Sequence, residues 1–386
     1  MRLGIDLLLD THIGILADAR IGILANAASV TTAGKSSIER LLSTPQVKVT
    51  AIFGPEHGID LSAQDMEPVN SCVHQNIPIH SLYGKTLDSL TPTEKMLSDI
   101  DVLVIDLQDI GSRYYTYVWT ACLCMKICAQ LGKKVIICDR PNPIGGIAAE
   151  GGKIEKGYAS FVGLHSIPNR HGMTIGEIVH YVNGYEKYES DLIVIPIEGW
   201  SREMNWFDTG LNWQNPSPNM RSYEAALIYP GMCLIEGTNI SEGRGTAEPF
   251  MRVGAPFINA KEFCDQFNAM GIDGITAAPD SFTPTHQKWS GKKCSGVKWG
   301  ITDSKKFKPY LSGLTFIWLA NKLYKDKGFE WRKDPYEFVT DKPAIDLLTG
   351  SDVFRSNIDS LKFEDLIELS ITPQKLSLKR NSHLIY

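Results

Sequence analysis

Short apolar runs punctuate the first half of the chain, and each ends in polar residues. They are Ile21 to Leu24 within Arg20 to Ala25, Val47 to Phe53, Ile79 to Tyr83, Val102 to Ile105, Val135 to Cys138 and Leu192 to Ile197. Runs of this length and apolarity read as buried strands. Helical segments fall between them, at residues 3 to 17, at Ser36 to Leu42 and from Thr91-Pro92-Thr93-Glu94 onward, where proline stands near the first position. The segment 116 to 131 is apolar nearly all round, as in Val118, Trp119, Met125 and Ile127, and predicts a buried helix. Thr174 and Glu177 have the spacing of a capping box and predict a further helix start. Strand and helix alternate, which predicts an α/β fold with a doubly wound, mostly parallel sheet.

The pattern changes after Tyr229-Pro230-Gly231. Helices are expected at Ala260 to Met270, Tyr310 to Tyr324 and Tyr336 to Leu348, with a strand at Gly296 to Ile301. Phe282 to His286 and Lys288-Trp289 are expected in a loop. This predicts a second, smaller α/β domain over 231–386, after an N-terminal domain over 1–230.

The polar clusters behind the strands carry the candidate chemistry. Gly54-Pro55-Glu56-His57-Gly58 stops the second run, because proline offers no N–H and a fixed φ. Asp106, Asp109, Arg113 and Tyr115 follow the run at 102–105. Asp139, Arg140 and Asn142 follow the run at 135–138, on backbone stiffened by two prolines. In an open α/β sheet, ligands bind beyond the carboxyl ends of the strands, so these residues are expected in one crevice. Between Asp60 and Asn76 lies a polar stretch too long for a tight turn. The segment Trp206 to Met220, ending in Asn215-Pro216-Ser217-Pro218-Asn219, suits either a sugar-facing wall or a rigid loop that packs its own tryptophans. Glu236 to Phe250 gathers Glu236, Asn239, Glu242, Arg244 and several glycines, which permit positive φ and close backbone approach; a site loop is expected there.

Composition removes several classes. The 386 residues carry a net charge of −5, with no electrostatic footprint for nucleic acid. No apolar run reaches the length of a membrane span. Met1 to Asp6 lacks the apolar core of a secretory signal, so the expectation is a cytoplasmic protein or an exported one without its leader. The eight cysteines form no Cys-x-x-Cys pair and have no zinc-ligand spacing, and Cys122, Cys124 and Cys128 fall in the apolar helical segment as core residues. Gly34-Lys35-Ser36 is not a phosphate loop, because the first glycine of that motif would fall on Ser29. No cofactor and no metal are expected.

Carboxylates, tyrosines and tryptophans around one crevice fit glycoside hydrolysis. That reaction needs a carboxylic acid to protonate the leaving oxygen and a second group to stabilise or attack the sugar. Glu56, fixed by the Gly-Pro turn, is the acid candidate; Asp106, Asp109 and Glu242 compete for the second role, and a substrate acetamido group is a further possible nucleophile. Arg113, Arg140 and Arg244 suit an anionic substituent or internal ion pairs equally. Two other readings fit the same residues. One is a metal-dependent hydrolase liganded by Glu56, His57, Asp106, Asp109 and Asp139. The other is a sugar-binding module without turnover.

The motifs together resemble a known family. Phe53-Gly-Pro-Glu-His-Gly58, Asp106-Leu-Gln-Asp-Ile-Gly-Ser-Arg-Tyr-Tyr-Thr-Tyr117, Asp139-Arg-Pro-Asn-Pro-Ile-Gly-Gly146, Pro216-Ser-Pro-Asn219 and Glu236-Gly-Thr-Asn-Ile-Ser-Glu-Gly-Arg-Gly-Thr246 are similar to those of the NamZ-type exo-β-N-acetylmuramidases, glycoside hydrolase family 171. The resemblance runs from about residue 3 to the final Leu384-Ile385-Tyr386. It implies a Rossmann-like N-terminal domain, a smaller C-terminal domain and a site in the cleft between them. It further implies release of N-acetylmuramic acid from the non-reducing end of peptidoglycan fragments. The family's acid glutamate carries onto Glu56 with His57 beside it, and a lactyl carboxylate on the sugar would explain the arginines. The catalytic set expected is therefore Glu56, His57, Asp109 and Glu242. Substrate contacts are expected from Asp106, Arg113, Tyr115, Asp139, Arg140, Asn142, Asn219, Glu236, Asn239 and Arg244. One departure stands out: Ile59-Asp60-Leu61-Ser62 replaces a Phe-Arg-Gly-like segment. Muramyl sugars and wall fragments are the partners implied.

Overall fold

A computed structural model describes residues 1–386 apart from Ser62, Asp65 and Gln75. Part of the 60–76 stretch and the last residue of the departing Ile59–Ser62 segment therefore lie outside the described residues.

Seven strands form the main sheet: β1 (Arg20–Ala25), β2 (Lys48–Gly54), β3 (Cys72–His74), β4 (Ile77–Ser81), β5 (Val102–Asp106), β6 (Lys134–Cys138) and β7 (Leu192–Ile195). Their order is β3-β4-β2-β1-β5-β6-β7, and every neighbouring pair is parallel except β3 with β4. The order reverses at β1, with β2 on one side and β5 on the other, so the sheet is doubly wound as expected.

Side chains alternate between the two faces of a strand. Leu103 and Ile105 of β5, with Val135 and Ile137 of β6, join one buried core; Val102, Val104, Ile136 and Cys138 join the other. Both faces are dry, which is why these strands read as unbroken apolar runs. Helices Tyr117–Gln130 and Ile175–Glu186 cover the first face. Gly4–Asp10 and Ser37–Leu42 cover the second. Thr174 and Glu177 form the expected reciprocal cap.

A second, antiparallel sheet, β8 (Arg252–Ala255), β10 (Cys294–Ile301) and β9 (Ile275–Phe282), packs with helices Ala260–Ala269 and Pro309–Tyr324. Helix Pro309–Tyr324 is buried along nearly its whole length and packs on helix Tyr223–Met232. The expected division at residue 230 falls inside that helix, where Pro230, near the C-terminal end, removes one i→i−4 hydrogen bond.

Four expectations are corrected. The first helix stops at Asp10, and a single 3₁₀ turn, Ile13–Leu16, follows a break at Thr11-His12. Cys72–His74, placed in the long loop, is an edge strand. Strands β8 and β9 went unrecognised; Pro279 sits in β9, and proline reads as a strand breaker unless the strand is at an edge, as this one is. No helix begins at Tyr336: Pro343 excludes helical conformation from Lys342, and the helix runs Ala344–Thr349. Among the described residues, no helix is long and apolar enough to cross a membrane.

Candidate active site

A cleft opens beyond the carboxyl end of β2. Both halves of the chain line it: Glu56, His57, Tyr114, Tyr115 and Thr116 from the N-terminal half, Glu236, Arg244, Phe250, Tyr336 and Glu337 from the C-terminal half. Ser217, Asn219 and Met220 supply one wall.

The Gly54-Pro55 turn does what the sequence suggests. β2 ends at Gly54, and Glu56 follows, 4% exposed. The hydroxyl of Thr116 donates to Glu56 Oε2 at 2.7 Å. Thr116 is the cap of helix Tyr117–Gln130, so the positive end of that helix dipole lies beside the carboxyl group. The backbone N–H of Met66 reaches Oε1 at 3.4 Å. Tyr117 holds the turn from behind, its hydroxyl 2.6 Å from Pro216 O and 3.3 Å from Glu56 O. Burial, and then the charge of Glu56, push the Tyr117 phenol far above its ordinary pKa, so it remains a donor. His57 adopts φ 69° and sets Nδ1 3.0 Å from Ala63 O. A carbonyl only accepts, so Nδ1 carries the proton and, in the neutral ring, Nε2 is the acceptor.

Across the cleft, Arg244 Nη2 donates to Glu236 Oε1 at 2.6 Å, and the Tyr336 hydroxyl donates to Oε2 at 2.7 Å. Gly243 and Gly245 flank Arg244 with φ of 73° and 79°; a Cβ on Gly243 would stand 2.5 Å from Arg252 O. These glycines are what lets the loop present the arginine. The Arg244 guanidinium also lies 5.4 Å from the Phe250 ring centre. Tyr114, Tyr115 and Tyr229 form a phenolic wall, and burial raises all three well above the ordinary phenol.

Of the residues singled out by sequence, Glu56, His57, Tyr115, Asn219, Glu236 and Arg244 line this cleft. The others do not, and each has a structural occupation. Arg140 forks Asp106 through Nε and Nη2 at 2.6 and 2.7 Å, both residues buried. Asp139 accepts from Arg140 N, Gly176 N, Thr174 Oγ1 and the Tyr386 hydroxyl, all at 2.7 to 3.0 Å. Asp109 accepts Gly111 N at 2.7 Å and stands 3.2 Å from His171 Nε2. Arg113 is fully buried and donates to the carbonyls of Gly152, Ile167 and Leu348, not to an open site. Asn142 closes its own turn through Ile144 N and Met173 O. Glu242, 1% exposed, pairs with Lys288 at 3.2 Å outside the cleft lining. Asn239 lines a neighbouring cleft with Lys288, Trp331 and Arg332, and its amide donates to Gly328 O.

The expected single crevice is thus two clusters, because Asp106 and Asp139 face inward from β5 and β6. This also separates the five residues a metal-dependent reading needs: Asp106, Asp109 and Asp139 are engaged away from Glu56 and His57. Among the described residues, no group of three or more His, Cys, Asp or Glu side chains is arranged to hold a metal.

The loop 206–220 divides between its two readings. Trp206 packs edge-on against Trp213, while Ser217 and Asn219 reach the cleft. Sequence reasoning missed Thr116, Tyr336 and Glu337. The first hides in a motif dominated by charged residues, and the other two lie in a segment whose pattern predicts a helix.

Family models for the N-terminal and C-terminal parts of exo-β-N-acetylmuramidase NamZ match residues 21–224 and 227–386. The peptidoglycan β-N-acetylmuramidase NamZ of Bacillus subtilis strain 168 is 40% identical over 390 residues, covering 100% of this chain and 91% of that protein. Two DUF1343 family proteins of Bacteroides fragilis NCTC 9343, known from crystal structures, have similar folds. One has TM-score 0.87 at 30% identity, the other 0.74 at 27%, each covering 100% of this chain and 98% of its own. From its motifs, its fold and these matches over its whole length, the chain belongs to the NamZ exo-β-N-acetylmuramidase family.

Proposed function

We propose that this chain is an exo-acting glycoside hydrolase that releases N-acetylmuramic acid from the non-reducing end of peptidoglycan fragments. The observation that carries the reading is Glu56: a buried carboxyl group fixed by a Gly-Pro turn, hydrogen-bonded to a hydroxyl, on the wall of a cleft built by both halves of the chain. The activity named for the 40%-identical relative supports the substrate class. Residues 1–230 and 231–386 act as the two domains whose groove holds the sugar. Glu56 is the proton donor to the leaving oxygen, and His57 shapes the turn beside it. Tyr115 and Asn219 contact the sugar. Arg244, the one arginine of the three candidates that lines the cleft, receives the lactyl carboxylate, with Glu236 orienting it.

Two measurements test this. Glu56→Gln should lower kcat for a muramyl disaccharide about 10²–10⁴-fold with the fold intact; near-normal turnover refutes the acid assignment. Arg244→Gln should raise KM for an aryl N-acetylmuraminide far more than for the matching N-acetylglucosaminide, which lacks the lactyl group. Equal changes on both would remove the lactyl contact.

A further inference from the structure

The turn that carries Glu337 is unusual. Tyr336 and Val339 exchange both backbone hydrogen bonds, at 3.0 and 2.9 Å. Between them Glu337 and Phe338 have φ of 47° and 67°. A two-residue loop with both φ positive is a type I′ turn, normally filled by glycine, asparagine or aspartate. A glutamate and a phenylalanine are poor occupants, and strain of this kind is retained where the surroundings impose it, often at functional sites. The surroundings here come from the other half of the chain. The Tyr83 ring packs on Phe338 at 5.8 Å, and its hydroxyl donates to Glu337 Oε2 at 3.2 Å. Glu337 is 3% exposed and lines the same cleft as Glu56.

The cleft's other C-terminal carboxylate, Glu236, has one oxygen on a guanidinium and the other on a phenol. A cation at 2.6 Å makes it a weak base. Asp109 and Glu242, expected from sequence for the second role, lie outside the lining. We infer that Glu337 is the second catalytic carboxylate, taking the proton of the water that attacks the anomeric carbon. This rests on the reading of Glu56 as acid. The C1–O bond breaks with its electron pair passing to the leaving oxygen, which receives the Glu56 proton. The water oxygen bonds to C1, and the proton it sheds passes to Glu337. Solvent exchange then restores both carboxyl groups.

The test uses two substrates, an aryl N-acetylmuraminide with a good leaving group and a muramyl disaccharide. Glu337→Gln should lower kcat at least about 100-fold on both, with KM within a few-fold, because the base is needed whatever departs. Glu56→Gln should fall far more on the disaccharide than on the aryl substrate, whose leaving group needs little protonation. The two assignments therefore fail separately. Azide should restore turnover to Glu337→Ala and give a glycosyl azide, since it attacks without shedding a proton. Glu337→Asn, the better residue for this turn, should melt no lower than wild type while losing activity. Near-normal kcat in Glu337→Gln, a change confined to KM, or no azide rescue in folded Glu337→Ala would overturn the assignment.

Discussion

Two carboxylate clusters stand at the carboxyl edge of one sheet, and they differ in who holds them. Asp106 is forked by Arg140, and Asp139 takes two backbone N–H groups and two hydroxyls. Glu56 takes the Thr116 hydroxyl at 2.7 Å and, more loosely, the Met66 N–H at 3.4 Å, and Glu337 takes the Tyr83 hydroxyl at 3.2 Å. A guanidinium or amide N–H can only donate, so it opposes a protonated carboxyl group. A hydroxyl rotates and can accept in turn, so it tolerates either protonation state. A group that must lose and regain a proton in each cycle is better placed against a hydroxyl. The first cluster is thus suited to hold the sheet edge together and the second to move protons.

The contrast is sharpest in what substitution should cost. Glu56→Gln should remove most turnover, about 10²–10⁴-fold, and leave the melting temperature close to wild type. If it melts much lower instead, Glu56 belongs with the structural cluster and the contrast is broken. Arg140→Ala should do the reverse. It leaves Asp106 charged and dry, which typically costs 3–5 kcal/mol. The folded fraction should keep near-normal kcat. Replacing both partners by apolar residues of similar volume should recover much of that stability, measured by denaturant unfolding. A kcat loss in fully folded Arg140→Ala would move this pair into the catalytic machinery.

This difference was beyond reach of the sequence. Asp106, Asp109 and Asp139 each follow an apolar run, as Glu56 does, and a linear pattern says where a strand ends but not which side chain turns inward. The doubly wound sheet was legible, because burial on both faces writes itself as continuous apolar runs in Val102–Ile105 and Val135–Cys138. So was the Glu56 turn, since Gly-Pro has few backbone options. The cap at Thr174 was equally plain. Glu337 was not: Tyr336-Glu337-Phe338 has ordinary helix-compatible residues, and its left-handed turn is imposed by Tyr83, more than 250 positions away. Nor was β9, whose Pro279 is admissible only at a sheet edge.

The smallest effect probes the inner cluster through pH. Burial pushes the Asp139 carboxyl up to about 6, against four donors that favour its anion. A raised folded pKa means the folded state holds its proton more tightly than the unfolded chain. That contribution is complete below about 3.8 and is lost as pH rises through about 6. The Tyr386 hydroxyl works against this loss, because its hydrogen bond lowers the Asp139 pKa. The same hydroxyl accepts Ile197 N at 2.8 Å. Tyr386→Phe removes both contacts. Its cost should be about 1 kcal/mol at pH 4.5, where Asp139 is largely neutral, and rise toward about 2 kcal/mol above pH 7, because hydrogen bonds to charged groups are worth more. Unfolding of wild type and variant at the two pH values measures the difference. Turnover should be unchanged at both, as this cluster lies outside the cleft. A cost that does not grow with pH would mean Asp139 stays ionised throughout, and a loss of turnover would join the two clusters that the structure separates.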